Sequence, residues 1–316
     1  MLAIVCPGQG SQTPGMLAPW LELPGLAAQL DRLAEASGTD LLRHGTTADA
    51  VTIRDTAVAQ PLIVAASLLS AHAVGPDLAT SAGVLAGHSV GEFAAAALAG
   101  VLTEDQAVAL VAVRGAQMAR AASVTPTGMS AVLGGDPDEV RSTLEALGLT
   151  AANVNGGGQV VAAGDLDGLA ALAAHPPSRA RVIPLQVAGA FHTAYMLPAL
   201  ERLTVTAAEL SPRDPVVPLL SNRDGSSVST GAEALAALVA QVTNPVRWDL
   251  CQEMFAAIGV TGMLELAPGG VLTGLARRSL PGVETVALKT PDDLDAARAL
   301  VARHCDEAPD PQENQA

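Results

Sequence analysis

At 316 residues, 49% of them hydrophobic, the chain is long enough to bury a large core and too apolar to be disordered. Its net charge of −15 speaks against general nucleic-acid binding, so an acidic partner would need a local basic patch. Aromatic residues are only 2%, which leaves aliphatic side chains and alanine to build the core.

Met1 runs directly into an apolar stretch with no basic leader, so no signal peptide is expected. Residues 2–6 read as a short buried strand. A glycine loop rich in amides follows, Pro7-Gly8-Gln9-Gly10-Ser11-Gln12. It lacks the Gly-Lys-Ser/Thr of a phosphate loop, and either an ordinary turn or a close approach to a substrate would suit it. Residues 26–36 are helical in pattern and stop at Gly38. Residues 57–76 form a long uncharged stretch. Gln60, Ser67, Ser70 and His72 within it favour a buried helix over a membrane span, with Pro61 at its first turn.

The stretch Gly87-His88-Ser89-Val90-Gly91 stands between a strand-like run, 83–86, and a helical alanine-rich run, 92–99. That is the strand–turn–helix setting of a nucleophile elbow. The glycines let strand and helix approach around a strained Ser89, and backbone N–H groups at the helix start can hold an oxyanion. The bland alternative is a serine N-cap after a glycine turn. Thr103 to Gln106 is a capping box that opens a helix to about Ala122. Ala107, Leu110, Val111, Arg114 and Met118 share one face of it. An inward Arg114 must be paired, either with a structural acid or with a substrate carboxylate.

Residues 129–133, 149–153, 159–163 and 181–187 read as strands, and 137–147 and 166–174 as helices. The order β-α-β-β-α-β is ferredoxin-like. The fold class is therefore α/β, with a core of 1–125 and 189–305, an inserted subdomain of 126–188, and an acidic disordered tail of 306–316. His192 stands where the chain returns to the core, and Ser89 needs a base. His88 neighbours the nucleophile and should turn away from it. A strand over 216–220, helices over 232–242 and 248–258, strands over 263–266 and 283–288, and a helix carrying Arg277 and Arg278 complete the pattern. Cys6, Cys251 and Cys305 are far apart, in no metal-ligand spacing and without a nucleophile motif; they read as thiols of a reducing, cytoplasmic compartment.

Several motifs together resemble the malonyl-CoA:acyl-carrier-protein transacylases of fatty-acid and polyketide synthesis. They are Pro7 to Gln12, Gly87 to Glu92, Arg114-Gly115, Asn153 to Gln159, Phe191-His192, Gln241 with Asn244-Pro245-Val246 and Trp248, and Pro268 to Leu275. Gly270 stands where lysine is common. The resemblance implies an α/β-hydrolase-like core with an inserted ferredoxin-like subdomain. It also implies Ser89 as nucleophile, His192 as base, and Gln241 orienting His192 through its backbone carbonyl. Gln9 and the Val90 N–H would form the oxyanion hole. Arg114 would bind the malonyl carboxylate, with Phe191, Gln241 and Asn155 completing the substrate site. The partners implied are malonyl-CoA and acyl carrier protein. Arg277 and Arg278, with Arg179 and Arg181 as a second pair, are the closest basic pairs in an acidic chain and are expected to dock an acidic carrier; the alternative is a solvated helix end. No cofactor, metal, nucleic acid or membrane is expected, and a monomer is expected. Malonyl is expected over acetyl, because acetyl would leave Arg114 buried and unpaired at about 3–5 kcal/mol. Phe191 should crowd methylmalonyl. The competing readings are a serine esterase, the acyltransferase subunit of a malonate decarboxylase, and an inactive scaffold subunit.

Overall fold

A strand with apolar side chains at every position suits a parallel sheet covered on both faces. The computed structural model describes residues 1–305, and β1 (Leu2–Cys6) lies inside such a sheet. The tail expected over 306–316 lies outside the described residues. After β1 come α1 (Leu26–Ser37), α2 (Leu41–Thr46), α3 (Thr56–Val74), β2 (Val84–Gly87), α4 (Gly91–Leu98) and α5 (Glu104–Ala122). The subdomain elements are β3 (Thr127–Gly134), α6 (Pro137–Ala146), β4 (Thr150–Gly156), β5 (Gln159–Asp165), α7 (Leu166–Ala174) and β6 (Ala180–Pro184). The chain continues through α8 (Leu200–Ala208), α9 (Gly231–Ala240), β7 (Val246–Arg247) and α10 (Trp248–Ala257). It ends with β8 (Gly262–Glu265), α11 (Val271–Ser279), β9 (Glu284–Ala287) and α12 (Leu294–His304).

The core sheet runs β2-β1-β8-β9, all parallel. Leu2, Ile4 and Cys6 face the larger cluster with α3, α4 and α5; Ala3 and Val5 face a second one with α10 and α11. The strand expected over 216–220 touches β2 only as a single bridge, Leu85 to Leu219. α3 is long and apolar enough to cross a membrane, yet most of it is buried among the other elements. It starts a turn earlier than its proline suggests. Asp55 caps it by accepting from the Ala57 N–H, and Pro61 sits inside the helix.

The second sheet runs β6-β3-β5-β4-β7. Its first four strands are antiparallel in the ferredoxin-like order. The fifth, β7, belongs to the core chain and pairs parallel with β4, Asn153 to Val246 and Val154 to Arg247. Two residues of β-structure give no readable alternation, so the sequence carried no sign of this strand. It ties the subdomain edge to the segment that begins at Gln241. Further ties are Gln252 Nε2 donating to the Asn155 carbonyl (2.8 Å) and His88 Nε2 bonded to Asn155 Oδ1 (2.8 Å).

Candidate active site

Two loops leave the C-terminal ends of the neighbouring strands β1 and β2, the position where open α/β sheets present ligand sites. The first carries Gly8, Gln9 and Gly10; the second is the elbow. Steric necessity shapes the elbow. A Cβ on Gly87 would lie 2.0 Å from the Gly91 carbonyl carbon, and one on Gly91 would lie 2.1 Å from the Cys6 carbonyl oxygen. Ser89 is held at φ 52°, a left-handed conformation costly for a residue with a side chain. His88 turns its ring to Asn155 and edge-on to Trp248 (centroids 5.7 Å), as expected of a residue flanking a nucleophile.

Ser89 Oγ lies 2.7 Å from His192 Nε2. His192 also has left-handed backbone, φ 61°, at the turn after Gly189, and Ala190 N–H donates to Thr127 Oγ1 (2.9 Å) to anchor that turn. His192 Nδ1 lies 2.8 Å from the backbone carbonyl of Gln241. A carbonyl can only accept, so Nδ1 carries the proton and Nε2 presents a lone pair to Ser89. Burial, with the Arg114 charge next, pushes the imidazole down to about 3. The ring is neutral across the physiological range.

Arg114 is completely buried. It has no ion pair among the described residues. Nη1 donates to Gln60 Oε1 (2.7 Å), and Nη2 to Gln241 Oε1 (2.9 Å) and Ser89 Oγ (3.4 Å). Its plane lies over the Phe93 ring, 5.6 Å to the centroid. Its Nε has no partner among the described residues. Burial brings the guanidinium down to about 10, opposed by the charge of Glu92. Glu92 stands one network step away: Oε1 accepts from the Asn222 N–H (2.7 Å) and Oε2 from Gln241 Nε2. Asn222 in turn accepts the Ser89 N–H at Oδ1 (2.7 Å) and donates to the Gly87 carbonyl (2.7 Å).

The cleft above Ser89 has a volume of about 440 Å³. Gln9, Ser89, His192, Phe191 and Asn155 all line it. The backbone N–H groups of Gln9 and Val90 have no acceptor among the described residues. Gln9 Nε2 donates to Thr56 Oγ1 (3.3 Å). One wall is α11, through Val271, Leu272 and Leu275. Its start is fixed by Glu265, whose carboxylate accepts from the N–H groups of Val271, Leu272 and Thr273 (3.1, 2.9 and 2.8 Å). That is a carboxylate at a helix N-terminus, where the dipole favours it.

The acyl transferase domain family matches residues 3–293. The chain belongs to the acyl transferase family. It is 54% identical over 297 residues to the malonyl CoA-acyl carrier protein transacylase of Mycobacterium tuberculosis, covering 93% of this chain and 98% of that one. It is 34% identical over 305 residues to the Escherichia coli enzyme of the same name, covering 94% and 99%. The crystal structure of the Mycobacterium tuberculosis protein superposes with a TM-score of 0.91 at 53% identity, covering 94% of this chain and 99% of that one. A malonyl-transacylase solved with its type II polyketide acyl-carrier protein superposes at 0.87 and 30% identity, covering 94% and 99%.

Sequence reasoning about this acyl transferase passed over Gln60, Glu92 and Asn222. Gln60 and Glu92 had a local signal, each being a large polar group in an otherwise apolar helical run. Asn222 had none. Of the four arginines expected at a docking surface, Arg278, Arg179 and Arg181 lie around neighbouring glycine turns, and Arg277 precedes Arg278 on α11. Arg278 packs against Gly157, Gly134 N–H donates to the Gly158 carbonyl (2.8 Å), and Gly134 approaches Arg179 and pairs with Ala180 beside Arg181. All four are exposed.

Proposed function

We propose that Ser89 of this acyl transferase carries a malonyl group from malonyl-CoA to the phosphopantetheine thiol of an acyl carrier protein. One observation supports this reading most. Ser89 Oγ has a neutral imidazole on one side (2.7 Å) and a buried guanidinium on the other (3.4 Å). A base beside the nucleophile makes acyl transfer possible. An arginine within reach of the same oxygen selects an acyl group that ends in a carboxylate.

His192 Nε2 takes the Ser89 proton as Oγ attacks the thioester carbonyl. The oxyanion is held by the N–H groups of Gln9 and Val90. The C–S bond breaks, CoA leaves with the proton from His192, and a malonyl ester remains on Ser89. The carrier thiol gives its proton to His192, attacks the ester, and the thioester re-forms on the carrier as Oγ recovers its proton. Gln241 holds the imidazole tautomer through its carbonyl, so no acid is needed as a third member. In the malonyl ester the carboxylate is one methylene from the carbonyl bound to Oγ, which puts it beside Arg114 Nη2. Phe191 lines the cleft wall, and in this reading its bulk crowds a branching methyl. Asn155 is spent on His88 and Gln159 (Nδ2 to Oε1, 3.1 Å), and acts by holding the wall.

These residues suffice for thioester exchange, so the reading calls for no cofactor. It places the enzyme in the cytoplasm as a monomer. Arg277, Arg278, Arg179 and Arg181 form the basic edge on which an acidic carrier docks. The deciding experiment is intact-protein mass spectrometry after mixing with malonyl-CoA. The expected result is a gain of one malonyl group, lost on adding holo carrier protein with malonyl appearing there. No adduct, or release of the adduct to water alone, would refute the reading.

A further inference from the structure

The side chain of Gln241 does two things at once. Its Oε1 faces Arg114 Nη2 at 2.9 Å, while its backbone carbonyl holds His192 Nδ1 at 2.8 Å. A glutamine amide has two nearly isosteric ends, and the other orientation would set an NH₂ donor against a guanidinium that only donates. Something must choose. Gln241 Nε2 donates to Glu92 Oε2 and lies 3.3 Å from Asn222 Oδ1. Both are acceptors. Glu92 is buried in the first turn of α4, and its other oxygen takes the Asn222 N–H at 2.7 Å. Both oxygens therefore face donors, which favours the carboxylate against the burial that pushes this carboxyl up to about 8.

We infer that Glu92 is a positioning residue for acyl transfer: its carboxylate sets the Gln241 amide so that an oxygen faces Arg114 and the Gln241 main chain stays in place against His192. The inference rests on the roles given above to Arg114 and His192. Glu92 touches neither substrate nor Ser89. Among the described residues it is the only carboxylate in the Arg114 network, and it reaches that cation through an amide, not directly. A direct ion pair would occupy the guanidinium edge that a malonyl carboxylate needs. An intervening amide balances the cation while Nη2 still directs an N–H at Ser89 Oγ (3.4 Å), where the malonyl ester forms. Burial raises the Glu92 carboxyl, and the Asn222 N–H and Arg114 oppose that rise. A second arm runs from Glu92 through Asn222 to the Ser89 N–H, so the same carboxylate also braces the elbow.

The test is Glu92→Gln, which keeps shape and an acceptor for Asn222 but lets either end of the new amide meet Gln241. Single-turnover acylation is measured from malonyl-CoA and acetyl-CoA, beside Arg114→Ala and with the fold followed by circular dichroism. The expected result is a malonyl-over-acetyl preference reduced by ~10-fold or more, the worth of one hydrogen bond to a charged group. A purely structural role would slow both thioesters alike. Gln241→Met removes the amide, keeps the backbone carbonyl, and should lower the preference equally. The double variant should be no worse than the worse single. Losses that multiply in the double variant, or a preference unchanged in folded Glu92→Gln, would overturn the inference. Should Glu92→Gln fail to fold, an unchanged preference in Gln241→Met overturns it alone. If Arg114→Ala itself keeps the preference, the substrate reading fails first.

Discussion

Ser89 and His192 are 103 residues apart in the chain and 2.7 Å apart at Oγ and Nε2. Both have left-handed backbone, φ 52° and 61°. Two strained residues meeting at one contact is a costly arrangement that the surrounding glycines and hydrogen bonds hold in place. The proposed function rests on that contact, and so do the variants that would abolish it.

Ser89→Ala should abolish acylation and leave the fold intact. The Ser89 N–H bond to Asn222 Oδ1 is made by backbone, so alanine keeps it. Loss of the nucleophile should lower the rate at least ~10³-fold, as in other serine–histidine systems. A malonyl adduct on the alanine protein would show that another group is acylated.

The pH profile should show no limb near the ordinary histidine value. His192 is pushed down to about 3 by burial and the Arg114 charge, so its Nε2 lone pair stays available well below pH 6. In the unfolded chain the same imidazole takes a proton near 6.5. Between roughly 6.5 and 3 the unfolded state therefore binds more protons. Stability is fully present above that window and falls as pH drops through it. Acylation from malonyl-CoA should show no step centred near 6.5; a limb from the raised Glu92 carboxyl is separate and is absent in Glu92→Gln. A steep loss centred near 6.5 would mean that the ring is solvated in solution.

Arg114→Ala should lower malonyl transfer sharply and raise acetyl transfer relative to it. The expected preference is smaller than a bare buried cation would give. Gln60 and Gln241 already satisfy the guanidinium when no carboxylate is bound. Discrimination then rests on one charge-assisted contact of about 1.5–3 kcal/mol, roughly 10–10²-fold. Competition between the two thioesters, wild type beside variant, measures it directly.

Gly91→Ala should destabilise the whole chain. Its Cβ would sit 2.1 Å from the Cys6 carbonyl oxygen and 2.7 Å from that of Pro7, so α4 and β1 must separate. Overpacking of this kind costs typically ~1–3 kcal/mol. Thermal unfolding should show a lowered midpoint, and acylation should fall with it because Ser89 moves. An unchanged midpoint would show that the elbow relaxes freely.

Reversal of Arg277 and Arg278 to glutamate should raise the Michaelis constant for carrier protein and spare that for malonyl-CoA. Both side chains are exposed and lie at the C-terminal end of α11, whose first residues line the cleft. The effect should shrink as salt rises. Carrier kinetics that stay unchanged at low salt would move the docking surface elsewhere.

Much of this molecule was legible locally. The capping box at Thr103 and Gln106 is present as its residue types require. So is the β-α-β-β-α-β order, and Arg114 lies on the buried face that its helical period assigns. The elbow is legible for the same reason: a Cβ at Gly87 or Gly91 has nowhere to go, and that exclusion acts between residues close in sequence. Backbone sterics, caps and periodicity work over a few residues, so a sequence displays them. What surrounds Arg114 does not work that way. Gln60, Glu92, Asn222 and Gln241 come from separate elements, and β7 is two residues long. Whether Arg114 met an acid or an amide depended on which side chains the packed helices brought within 3 Å of it. No local pattern encodes that distance. Only the folded core, by burying these polar groups together, brought both terminal nitrogens of Arg114 to amide acceptors and left its Nε with none among the described residues.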